Sequence, residues 1–86
     1  MKTFCSTVTM EIKAAKGEFD LIKVIGNSMY QLRKERTSFN ESMYLMSMII
    51  NLRTINPNEV TEETRQNIKL AIAIFRQFQN DNAEMR

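Results

Sequence analysis

Histidine and tryptophan are absent from this 86-residue chain, cysteine and proline occur once each, and glycine twice. Each scarcity closes a class of function. Without an imidazole there is no Ser-His or Cys-His nucleophile and no histidine-based zinc site, and a single thiol cannot close an intrachain disulfide. The acids fall on solvent faces or at helix starts, Glu62 and Glu63 above all, rather than in a setting that would perturb them. No enzymatic activity, catalytic residue, metal or cofactor is therefore expected. Twelve basic residues against ten acidic ones leave a net charge of only +2, far from the dense excess of a dedicated nucleic-acid binder. No apolar run approaches the ~20 residues of a membrane span, and Phe4 to Val8 is too short and polar for the core of a signal peptide. The expected address is cytoplasmic, and the lone Cys5 fits such a reducing compartment as a small apolar residue.

What is present is apolar side chain, 43% of the residues, enough for one small core and too much for a disordered chain. A chain this short buries only about 60–65% of its unfolded surface, so self-association is a common way to gain stability. The pattern divides into an extension over 1–17, a three-helix domain over 18–80 and a polar tail over 81–86 that is expected to fray. In the extension Phe4, Ser6, Val8, Met10 and Ile12 alternate with Thr3, Cys5, Thr7, Thr9 and Glu11, a strand-like rhythm rich in β-branched residues. A lone strand has no partner in a helical chain. The segment is expected to pair with a second molecule, to turn helical or to stay mobile.

From Gly17 onward the period is helical. Leu21, Val24, Ile25, Met29 and Leu32 form a stripe on a first helix near 18–36, whose end carries Arg33, Lys34 and Arg36 at the negative pole of the helix dipole. Gly26 and Ser28 are small residues within it, which reads either as the approach of another backbone or as tolerated filler. Thr37 to Asn40 breaks the pattern, with Ser38 or Asn40 able to cap a second helix near 41–55. That helix is apolar almost all round, and Asn56-Pro57 stops it because proline removes a donor and pushes the preceding residue out of helical geometry. Thr61, followed by Glu62 and Glu63, starts a third helix near 62–79 with an apolar arc of roughly 200° at 100° per residue.

Three short helices cannot hide both the second helix and this arc, and a large exposed apolar patch is most often covered by a symmetric copy. The expectation is an all-α homodimer built on these two helices, with Met46, Met48, Ile49, Ile50, Leu52, Ile68, Ile72, Phe75 and Phe78 at the dimer or partner interface. Met29, Met43, Met46 and Met48 serve either as gap-fillers or as part of a surface that adapts to a partner.

From Val24 to Phe78 the chain resembles the AriR/YmgB-like family of biofilm-development and acid-resistance regulators of enteric bacteria, small two-component-system connector proteins. The residues that carry the likeness are Ile25-Gly26-Asn27-Ser28-Met29-Tyr30-Gln31-Leu32, the polar break ending at Asn40, Leu45 through Ile49-Ile50-Asn51-Leu52, and Val60 through Arg65, Ile68 and Ile72. Residues 1–17 have no counterpart. The resemblance implies a small all-α homodimer without a catalytic site, acting on biofilm formation, acid resistance and the Rcs phosphorelay through contact with a signalling or transcription regulator. It transfers no individual functional residue. Two other readings stand beside it. One is direct DNA binding, through Arg33, Lys34, Arg36 and Arg53 on phosphates or through an intermolecular ribbon of residues 3–12 in the major groove. The other is a small anti-defence or inhibitory protein of a mobile element.

Overall fold

The computed structural model describes residues 2–35 and 41–84, all but the connections of them helical: α1 (Lys2–Ala14), α2 (Glu18–Glu35), α3 (Glu41–Arg53), a 3₁₀ turn at Pro57–Glu59, and α4 (Glu62–Glu84). Among the described residues there are four α-helices where the sequence pattern suggested three. The caps proposed at Ser38 and Asn40, and Arg36, lie outside the described residues.

The added element is the N-terminal segment: of the outcomes its pattern left open it turns helical, and the paired strand is ruled out. Cys5, Val8, Ile12 and Ala15 point into the core at steps of three and four residues, while Ser6 and Met10, apolar-side members of the alternation, face solvent. Val8 and Ile12 satisfy either period; the fold chooses the one whose backbone hydrogen bonds are made within the segment itself. Two threonines, residues that disfavour helix interiors, bond back into the helix: Thr7 Oγ1 donates to the Thr3 carbonyl at 2.9 Å and Thr9 Oγ1 to the Cys5 carbonyl at 2.8 Å.

α1 and α4 form the central pair and each packs on all the other helices, with α2 and α3 flanking them. At 1.5 Å per residue the 23 residues of α4 run about 35 Å, close to the 37 Å long axis of the molecule. The tail expected to fray is helical as far as Glu84. In the core, Tyr44 of α3 sits between Phe4 of α1, centroids 5.4 Å apart, and Phe75 of α4, 6.0 Å apart and edge-on. Ile12, Leu21, Ile25, Leu45, Met48 and Leu52 are buried around this triplet.

The connections follow from local chemistry. Gly17 has φ +96°, a conformation that ordinary side chains resist, and it turns the chain from α1 into α2. Asp20 Oδ2 then accepts from the Lys16 backbone N–H at 2.9 Å, pinning the entry. Asn56 Oδ1 accepts from Asn58 N–H at 3.0 Å and starts the 3₁₀ turn with Pro57 in its first position. Thr61 caps α4, its Oγ1 accepting from the Thr64 N–H at 3.2 Å.

The end of α1 is finished from a distance. Asn67, buried on α4, donates its amide N–H groups to the carbonyls of Ala15 at 2.8 Å and Ile12 at 3.3 Å, and Thr64 Oγ1 donates to the Lys13 carbonyl at 3.3 Å. Carbonyls that a helix end leaves without partners are thus satisfied by another helix. Gly26, by contrast, has no heavy atom from outside its own stretch of helix within 4 Å of where a Cβ would stand, so among the described residues no other backbone approaches it.

Candidate interaction surface

The best-defined polar constellation is internal. Tyr44 is fully buried; its hydroxyl donates to Ser28 Oγ at 2.8 Å, and Ser28 Oγ donates to the Ile25 carbonyl at 2.8 Å. Burial pushes the phenol up to about 12, against the opposing pull of the Ser28 hydrogen bond. The chain of hydroxyls therefore ties α3 to α2 as a strut. Ser28, a small residue without a stated partner in the sequence pattern, is there to receive this bond. Burial likewise raises the Cys5 thiol, which weakens it as a nucleophile. Among the described residues no three His, Cys, Asp or Glu side chains gather to hold a metal ion.

Two surface grooves flank the core. One, of about 1120 Å³, opens between α1 and α2, with Phe4, Val8 and Val24 on its walls, Ser28 beside them, and Glu11 and Lys34 at its edge. The other, of about 500 Å³, lies between the end of α3 and the start of α4, with Leu52, Ile55, Ile68 and Ile72 as apolar lining and Arg53, Arg65 and Lys69 around them. Arg65 is held in place there: Nη2 pairs with Glu62 at 2.7 Å and Nη1 donates to the Pro57 carbonyl at 3.2 Å, while Nε is buried and makes no hydrogen bond. The Gln66 amide and the Arg65 guanidinium together hold the Glu62 carboxyl below its ordinary range.

The residues proposed for an interface separate into two groups. Met48, Ile49, Leu52 and Phe75 are buried in the chain's own core and are not available to a second molecule. The reason is α1, which supplies the cover that a three-helix count lacked, so the surplus of apolar surface on the two later helices is largely absorbed. Met46 and Ile50 remain exposed, at 56% and 54%, with Met43 on the same side of α3. Ile68, Ile72 and Phe78 are partly buried against the core.

Arg33 and Arg53, two of the cations proposed for phosphate contact, lie well apart. Arg33 Nε and Nη2 bond the Glu41 carboxylate at 2.7 and 3.3 Å, joining the end of α2 to the start of α3. Arg53 lies at the other end of α3, about 18 Å along the helix axis at 1.5 Å per residue. The ribbon of residues 3–12 is helix, so it cannot enter a groove as strands.

Sequence reasoning passed over the outer side of α2. Phe19 is 84% exposed, Tyr30 67% and Ile22 51%. The signal was available, since on the same helical wheel Phe19 and Tyr30 fall opposite the Leu21-Ile25-Leu32 stripe and Ile22 falls just beyond its edge.

Comparison with protein-family models, with curated proteins and with solved structures gave no significant match. The likeness to AriR/YmgB-like regulators therefore rests on the quoted residues alone. What the geometry offers is contact surface: an apolar strip on α3, another on α2, and a cation-flanked groove between α3 and α4. No described helix is long and apolar enough to cross a membrane.

Proposed function

We propose that this protein is a non-enzymatic regulator of AriR/YmgB-like type. On this reading it is a cytoplasmic homodimer that acts in biofilm, acid-resistance or Rcs-phosphorelay control by binding a signalling or transcription protein. The observation that carries the reading is the strip of Met43, Met46 and Ile50, exposed on a helix whose other side is fully buried. A folded chain with a closed core gains nothing in stability from Met46 and Ile50 in water, whereas a partner helix gains from covering them. Met side chains repack at little cost, which suits a surface that must follow a moving partner. The adjoining groove, with Ile68 and Ile72 in its lining and Arg53 and Lys69 beside them, suits an acidic amphipathic helix. Binding one state of the partner better than another shifts that partner's equilibrium without chemistry.

The test is genetic. In the host, deletion should change biofilm mass, acid survival or an Rcs-dependent reporter. Wild-type protein should restore the output, and a Met46→Lys, Ile50→Lys double variant that retains its helical spectrum should not. A deletion that leaves all three outputs unchanged, or a double variant that restores them fully, overturns the reading.

A further inference from the structure

The outer side of α2 carries an arrangement that nothing inside the chain explains. At ~100° per residue, Phe19, Ile22, Gly26 and Tyr30 fall within an arc of about 80° directed away from the buried Leu21, Ile25 and Leu32. Gly26 lies at the middle of the Glu18–Glu35 helix, in open space, at a position where alanine would make a better helix. Ile22 and Tyr30 stand four residues either side of it, each about 40° off its direction, and Phe19 and Arg33 seven residues either side, each about 20° off. The acids Glu18 and Asp20 occupy the first turn and the cations Arg33 and Lys34 the last.

A helix face that is symmetric in position about its midpoint and opposite in charge at its two ends is complementary to itself reversed. We propose that α2 docks against α2 of a second copy of this chain, antiparallel, about a two-fold axis passing at Gly26. The absence of a Cβ at the crossing lets the two backbones approach closely. Ile22 of each copy then stands at the level of Tyr30 of the other, and Phe19 at the level of Arg33, whose side chain is 59% exposed even while bonded to Glu41. Glu18 meets the basic end of the opposite helix, and the two helix dipoles oppose one another. Such a contact is isologous and closes at two copies.

The area is sufficient for a specific but modest dimer. Aromatic side chains offer about 150–250 Å² each, so Phe19, Tyr30 and Ile22 at their observed exposure expose on the order of 400 Å² of apolar surface per copy. With the polar rim added, the pair reaches the lower end of specific interfaces, near ~1,200 Å² in total. The dimer is accordingly concentration-dependent. This inference rests on the homodimer of the function proposed above and assigns its face, leaving the Met43, Met46 and Ile50 strip for the other partner.

Sedimentation equilibrium on the full chain, from micromolar to sub-millimolar concentration, tests it with variants whose folding is checked by circular dichroism. Wild type should dimerise. Gly26→Ala should raise the melting temperature of the dilute monomer while weakening the dimer by about tenfold, two effects of opposite sign that only a crossing at Gly26 produces. Ile22→Lys and Tyr30→Glu should each weaken self-association, and an equimolar mixture of the two should recover it as a heterodimer, because in the antiparallel pair residue 22 of one copy stands beside residue 30 of the other. Gly26→Ala that dimerises as tightly as wild type, or a mixture that fails to recover, overturns the α2 crossing. If instead the Met46→Lys, Ile50→Lys variant is the one that becomes monomeric, the homodimer stands and this assignment of its face falls. A wild type that stays monomeric throughout removes the α2 contact and the homodimer together, and the genetic test then decides the partner-binding role by itself.

Discussion

The buried phenol of Tyr44 gives a prediction with a change of sign. Its hydroxyl bonds Ser28 inside the core, and the ionised form would have to exist without water, which is why its pKa stands at about 12 against an ordinary 10.0. At neutral pH, Tyr44→Phe removes one hydrogen bond while Ser28 keeps its bond to the Ile25 carbonyl, so the variant should be less stable by about 1 kcal/mol. A group whose folded pKa is raised contributes stability that is fully present below the unfolded value and lost as pH climbs through the folded one. Between pH 10 and 12 the unfolded phenol ionises freely and the buried one resists, and wild type should lose roughly 2 kcal/mol relative to Tyr44→Phe by the upper end of that window. The order of stability should therefore reverse, wild type melting below the variant near pH 12. Lysine deprotonation affects both proteins alike and cancels in the difference. A direct reading comes from the fact that the chain has two tyrosines and no tryptophan. In a Tyr30→Phe background the phenolate absorbance at 295 nm reports Tyr44 alone, and it should rise only as the helical signal falls. A phenol that ionises near pH 10 with the helices intact, or a stability gap that stays constant across the alkaline range, refutes the argument.

Two further predictions concern α1. Ile12 is fully buried, and Ile12→Ala should cost about 2–5 kcal/mol, read as a shift of the urea midpoint; an unchanged midpoint would mean that the segment does not belong to the core. Asn67→Ala removes the donor that serves the Ala15 and Ile12 carbonyls and should cost about 1–3 kcal/mol, with amide exchange speeding first in the last turn of α1. Exchange that rises uniformly over the chain would contradict the capping role.

The helices from Gly17 onward were legible because α2 and α4 carry a helical period, and α3, apolar nearly all round, is bounded by a chemical stop at Pro57 just before the Thr61 start of α4. α1 was not, and the reason is specific. Val8 and Ile12 lie on one side under either a two-residue or a helical period, and the threonines between them favour strands by intrinsic preference. What decides the matter is tertiary: Thr7 and Thr9 satisfy their hydroxyls within the helix, and Asn67, 52 residues from Ala15 in sequence, finishes its end. No local window contains that information. The same holds for Tyr44, whose burial could be suspected from an apolar helix but whose partner Ser28 sits 16 residues away on another helix. All-α class was therefore readable, and helix number was not.

That miscount bears directly on function. With three helices, Ile49 and Phe75 had nowhere to hide and seemed to demand a second molecule; with α1 in place they are core, and the demand from buried-surface arithmetic disappears. Any case for association has to come from what stays outside after the fourth helix has docked. Two strips do so. They have different characters, and the difference argues against one shared role. The α3 strip is Met43, Met46 and Ile50, flexible for the most part, beside a groove with cations around it, and without internal symmetry. The α2 strip is stiffer, with Ile22 and Tyr30 four residues either side of a glycine and Phe19 beyond Ile22, between an acidic end and a basic one. Rigid, self-complementary surfaces lose little entropy on pairing with their own copy, whereas pliable methionine surfaces accept foreign ones. α2 and α3 flank the α1–α4 pair, so pairing through α2 would present the α3 strip of each copy to solvent, making the dimer bivalent toward its target. Bivalency raises apparent affinity for a dimeric partner through effective concentration alone. A regulator this small, with only modest area in either strip, would draw much of its affinity from that coupling.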